Sequence, residues 1–291
     1  MGIGRVLLSI GIGIGLGFGA EVVGVLKGPS TPSTTYSHLP STPRQIGGTP
    51  SYRTEVGNGV LELRSGTVVM DYREFGDSEK VVLDRDYTDP GDLNGVEVTF
   101  RTPLYFIEGA LYQGNSHYTG STWDGQPVSS LQTGVILFNG RIGITPGEGG
   151  PYLVAGYRSW WRGTSDSPGD YNEHYYWKYI GLGYRGEFQF GEFQFSPSAE
   201  WERGIDPEMK AYLGSEPTFD LGEVTGVRLE LPLSWRLNPY FSLLLQYRFQ
   251  YWYITGSGPT PAVIDGQNYT LYEPPSKTYL HYLSWGFSLS F

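Results

Sequence analysis

From residue 58 onward the chain alternates, position by position, between apolar and polar side chains. Over Val227–Leu237 the odd positions are Val227, Leu229, Leu231, Leu233, Trp235 and Leu237, with Arg228, Glu230, Pro232, Ser234 and Arg236 between them. Over Leu243–Tyr253 one face carries Leu243, Leu245, Tyr247, Phe249, Tyr251 and Tyr253, and the other carries Gln246, Arg248 and Gln250. The same period runs through Ile180–Phe190 and through Phe193–Trp201. Such a period places successive side chains on opposite faces of a strand. A soluble β-sandwich alternates too. Here, however, the apolar faces end in aromatic residues strand after strand, as lipid–water boundaries require.

The pattern predicts strands near 58–72, 94–101, 104–113, 131–144, 151–162, 174–189, 192–203, 222–236, 240–255 and 278–291. Links at 102–103, 145–150, 190–191 and 237–239 are tight, whereas those at 74–93, 114–130, 163–173, 204–221 and 256–277 are long and polar. Short turns at one end and long loops at the other predict an all-β fold, a transmembrane antiparallel up-and-down β-barrel of about ten strands (roughly eight to twelve). Both ends of that barrel and its tight turns are expected on the periplasmic side, in a bacterial outer membrane.

Composition narrows the picture. With 17% charged residues, 15% aromatic residues and 42 Gly in 291 residues, the chain departs from an average soluble domain. A mean hydropathy of -0.29 excludes a bundle of apolar membrane helices. The absence of Cys excludes disulfides and thiolate metal sites, and a net charge of -10 argues against nucleic acid as a partner. Ahead of the barrel, Arg5, the apolar run Val6–Ala20 and its small-residue exit predict a signal peptide over 1–20. The alternative is an N-terminal membrane anchor reaching Leu26. Residues 21–57, rich in Pro, Ser and Thr, read as an extended linker, leaving 58–291 as the barrel.

The last strand alternates Leu283, Trp285, Phe287, Leu289 and Phe291 with Tyr282, Ser284, Gly286, Ser288 and Ser290. It resembles the C-terminal signature of Gram-negative outer-membrane β-barrel proteins. That resemblance implies that Trp285, Phe287, Leu289 and Phe291 form a signal for the barrel-assembly machinery. It further implies outer-membrane lipid and lipopolysaccharide as surroundings. The segments 102–121, 171–184 and 273–279 also look like pieces of small uncharacterised barrels of this kind, which implies no activity.

Inward-facing charges are expected at Glu97, Arg101, Glu108, Arg141, Arg158, Arg162, Arg185, Glu187, Glu192, Glu200, Glu202, Arg228, Glu230, Arg236 and Arg248. In a bore this narrow they either pair and seal it or form a ladder for small anions. Candidate chemistry at the rim comprises His174 with Glu173 and Asp170, and His117 with Ser116 and Asp124. Omptin proteases pair acids beside an Asp-x-His; this sequence lacks that pairing, which counts against a protease. Asp84, Asp86, Asp89 and Asp92 could offer oxygens to Ca²⁺, but the spacing is not an EF-hand pattern and Arg85 lies within it, so a solvated acidic surface loop is the favoured reading. The aromatic run Tyr171, Tyr175, Tyr176, Trp177 and Tyr179 is read as an interfacial belt. The four His residues show no ligand spacing, and no cofactor is expected. The function expected is therefore non-enzymatic, structural or surface-interacting through the long loops. The alternatives are a porin-like channel for small solutes or ions and a hydrolase with a loop-rim site.

Overall fold

Alternation becomes curvature when one face must meet lipid and the other must fill a bore. A computed structural model describes residues 59–76, 81–121, 126–145, 149–166 and 170–291. The expected signal peptide and linker lie outside the described residues. The strands are β1 (Val60–Phe75), β2 (Val82–Tyr87), β3 (Leu93–Arg101), β4 (Tyr105–Ser121), β5 (Pro127–Ile144), β6 (Gly150–Trp161), β7 (Glu173–Arg185) and β8 (Phe188–Phe190). They continue as β9 (Phe193–Phe195), β10 (Ser198–Ala211), β11 (Thr218–Asp220), β12 (Val224–Asn238), β13 (Phe241–Ile254), β14 (Thr260–Ile264), β15 (Gln267–Leu271) and β16 (Ser276–Ser290).

Antiparallel pairing runs β1, β2 with β3, β4, β5, β6, β7, β10, β12, β13 and β16, which pairs back to β1. This is a closed barrel of 10 staves. Strands β2 and β3 form the upper and lower parts of one stave, and both pair with β1 and β4. The β8–β9 hairpin prolongs the staves of β7 and β10 at the end that carries the tight turns. Closure at that end includes paired backbone bonds between Gly59 and Phe291, and the Phe291 ring stacks on Phe100. The turn after β12 is set by Asn238, whose side-chain oxygen accepts the Tyr240 N–H at 2.9 Å, while Pro239 fixes φ.

Ile107, Ile142, Leu153, Ile180, Leu182, Leu231, Leu245, Leu283 and Trp285 all point outward and remain 44–66% exposed. A contiguous apolar band of this kind is costly in water and favourable in hydrocarbon. Aromatic residues border it on both sides. Phe193–Trp235 and Phe241–Phe287 stack near the tight turns, and Tyr251–Tyr279 pack at 5.1 Å near the long loops. Inside, large rings lie over glycines of the neighbouring strand, in the direct pairs Phe106–Gly143, Tyr112–Gly95, Tyr152–Gly183 and Tyr179–Gly156. A Cβ at Gly183 would stand 2.2 Å from the Tyr152 ring. These pairs let a narrow barrel curve while keeping its bore filled.

Several expected loops are strands in their outer parts. β4 runs eight residues past Gln113, to Ser121, and β10 runs on from Arg203 to Ala211. Above the apolar band both faces of a strand meet polar surroundings, so alternation fades although pairing continues.

Candidate functional site

The bore is filled in three levels, and the chemistry-bearing residues divide among them. At mid-height Arg64, Arg141, Arg158, Arg228 and Arg248 face Glu97, Glu108, Glu200, Glu202 and Glu230, all buried. Arg141 bonds Glu108 at 3.0 Å, Glu200 at 2.8 Å and Glu230 at 3.2 Å. Arg228 bonds Glu108 and Glu230, each at 2.5 Å. Arg248 reaches Glu97 at 2.6 Å, and Arg158 reaches Glu202 at 2.8 Å. Glu108 lies on β4 and Arg228 on β12, opposite staves of the ring, so this ion pair crosses the whole diameter. Lower down, Arg101 is partly exposed beside Glu62 at 3.3 Å, and Arg185 lies over the Phe106 ring. A cavity beside this network, lined in part by Asn139, Arg158, Arg248 and Trp252, measures about 10 Å³, room for one water.

Above the charges lies an aromatic level. Trp177 meets Trp252 edge-on at 5.4 Å, Trp160 stacks on Tyr175 at 4.9 Å, and the hydroxyls of Tyr72 and Tyr175 meet at 3.2 Å across the bore. Tyr175, Trp177 and Tyr179 are thus buried inside, correcting their reading as an interfacial belt; of that run Tyr176 faces outward. Alternation within β7 sends neighbours to opposite faces.

The third level lies above the apolar band. Arg162 pairs with Asp86, with Glu74 at 3.1 Å and with Glu173 at 2.5 Å. Glu273, from the loop between β15 and β16, bonds the Tyr175 hydroxyl at 2.6 Å. With one arginine among these carboxyls, burial keeps some of them protonated: Glu74 is pushed up to about 8, and Glu273 well above the usual carboxylate range. Burial raises Asp86 as well, against the opposing pull of the Arg162 guanidinium.

The expected rim groups are not brought together. Glu173 and His174 are strand neighbours, so Glu173 points into the bore while His174 points out, and Asp170 caps the backbone N–H groups of Ser165 and Tyr171. His117 stacks on Tyr87 outside, whereas Ser116 is buried inside, 3.5 Å from Asp86; Asp124 lies outside the described residues. The four aspartates also diverge. Asp86 joins Arg162 and Asp84 accepts the Tyr118 hydroxyl, both on the inner side, while Asp89 and Asp92 gather with His117 on the outer wall. A shared Ca²⁺ shell is therefore not formed by this set. Glu187 and Glu192 are exposed and Arg236 half-buried at the tight-turn end, where Arg236 pairs with Glu192 at 3.1 Å.

Sequence reading missed Arg64, Glu74 and Glu273. Arg64 sits between Leu63 and Ser65 on the polar phase of β1, a legible signal. Glu273 lies in a Pro-rich loop with no local cue to its burial. It also missed a contact on the outer wall, where the Ser159 hydroxyl lies 2.7 Å from His174 Nε2, with Trp161 stacked on the imidazole at 4.0 Å.

No protein-family model and no curated protein matches the chain. Among solved structures, the outer-membrane protease OmpT of Escherichia coli superposes with a TM-score of 0.51 at 12% identity, covering 81% of this chain and 98% of that one. The fold is that of a Gram-negative outer-membrane β-barrel. Neisserial surface protein A covers the same share of this chain at a TM-score of 0.34, 10% identity and 98% of its own length. The β domain of the Bordetella autotransporter BrkA scores 0.37 at 13% identity, covering 80% of this chain and 100% of its own. For this barrel, activity has to be argued from its own residues, because fold does not carry function.

Proposed function

We propose that this chain is a non-conducting outer-membrane barrel with a structural or surface-interacting role, exercised through the loops at the end opposite its tight turns. The observation that supports this reading is the ion pair Arg228–Glu108 across the full diameter, embedded in balanced Arg and Glu partners. An anion ladder needs cations that release their partners to a passing ion; here every central arginine is held by a buried glutamate. The test is planar-bilayer recording of refolded protein whose folding is shown by heat-modifiable gel migration. Absence of steady single-channel currents is expected. A stable, ion-selective conductance would replace this reading with the channel.

A hydrolase reading has the Ser159–His174 contact in its favour. Against it, burial and the nearby Lys210 cation lower the pKa of His174, which weakens it as a base. Among the described residues no carboxylate pairs with this imidazole, and Ser159 is itself covered. A fluorophosphonate probe is expected to leave Ser159 unlabelled, read by peptide mass spectrometry.

A further inference from the structure

Arginine in this barrel is met by acid almost everywhere. Among the described residues, every arginine except Arg185 has a carboxylate oxygen within 3.3 Å. Arg185 has neither a carboxylate nor any other hydrogen-bond acceptor among them. Its side chain lies over the rings of Phe106 at 5.5 Å and Tyr152 at 5.6 Å, and the residue is only 9% exposed. A cation taken out of water without an anion is unfavourable, and ring faces offset part of that cost only.

A second arginine shares the place. Arg185 ends β7 and Arg101 ends β3, both at the tight-turn end of the bore. Arg101 is the cross-strand partner of Phe106, the ring beneath Arg185. Of the charges that act on Arg185, that of Arg101 weighs most, and it repels. Glu230 acts in the opposite sense but is held by Arg228 and Arg141 in the mid-height network. Arg101 has Glu62 at 3.3 Å, yet Glu62 also serves Arg64 at 3.5 Å, and the buried Arg101 Nε has no acceptor. Glu192, at the same end, is taken by Arg236 at 3.1 Å. Where the middle of the bore matches arginine with glutamate, its lower mouth leaves two guanidinium groups with one shared acid.

We propose that Arg185 and Arg101 bind a small oxyanion, phosphate or sulfate, at the tight-turn mouth of the bore. A guanidinium group offers paired N–H donors to two oxygens of such an ion. The Phe106 and Tyr152 rings hold Arg185 in place beforehand, so little ordering accompanies binding. The ion enters past Arg101, whose side chain is 27% exposed. The occupant is a soluble ion rather than a lipid headgroup because both side chains turn into the bore. It docks below the charges that close the bore and does not pass them, which takes the inference beyond the sealed-barrel reading.

The test uses the full chain in detergent micelles, with folding shown by heat-modifiable gel migration. Inorganic phosphate and sulfate are each titrated in a constant chloride background, and binding is read by isothermal titration calorimetry. Expected are one ion per chain, at least tenfold weaker binding by R185Q and weaker binding by R101Q. The variant R236Q, at the same end but paired with Glu192, should bind as the parent does. Phosphate should also raise the unfolding temperature of the parent and leave that of R185Q where it was. A parent that binds neither ion, an R185Q or R101Q protein that binds as tightly as the parent, or an R236Q protein that loses as much as R185Q would each overturn the proposal. None of these readouts uses a bilayer, so their outcome is independent of whether the barrel conducts.

Discussion

Arg141 shows how a residue in this barrel is fixed by partners far away in sequence. It serves three glutamates from three strands and lies over the Phe106 ring at 5.1 Å. Removing one member of a buried charge cluster strands its partners, at a cost of about 3–5 kcal/mol. Arg141→Ala is therefore expected to lower stability by that amount, measured by denaturant unfolding in lipid vesicles. The double variant with Arg228→Ala should lose less than the sum, since both arginines serve Glu108 and Glu230.

At the scale of elements, the outer ends of β1, β2 and β7 and the loop after β15 are tied by groups that titrate. Glu74 faces Arg162, Glu173, Asp84, Glu273 and the Tyr72 and Tyr175 hydroxyls, and these groups draw on each of those segments. Burial raises its carboxyl from 4.5 to about 8, so the folded state keeps a proton that the unfolded chain releases earlier. Its stabilising contribution is complete below about pH 4.5, declines as pH rises and is gone beyond about 8. Amide protection factors in the loop around Glu273 are therefore expected to fall between about pH 5 and 8, and Glu74→Gln should flatten that fall. An unchanged profile in the variant would remove Glu74 from this role.

For the whole molecule, closure does not depend on the loops. The β14–β15 hairpin lies outside the main sheet, and Val263 is docked to Ser215 through two bonds at 2.9 Å. The mid-height charges and the aromatic level both lie below it. Deleting residues 259–271 is expected to leave the refolded barrel non-conducting in planar bilayers. Steady currents from that variant would show that the hairpin, not the bore, holds the seal.

The sequence by itself determined the staves, their faces and their short and long connections, because lipid outside and a filled bore inside impose a period of two that every strand must carry. Its alternation also marked Glu108, Arg141, Arg228 and Glu230 as candidates for the inner face, whereas it offered no such guide at Glu187 and Glu192, which are exposed at the tight-turn end. Only the tertiary structure decided which of the inward charges meet, since pairing across a diameter depends on ring order and register rather than on spacing. It alone separated Glu173 from His174 and Asp86 from Asp92, and it brought Glu273 under the cap. Above the apolar band the environment no longer differs between faces, so the signal that makes the lower barrel legible is physically absent there.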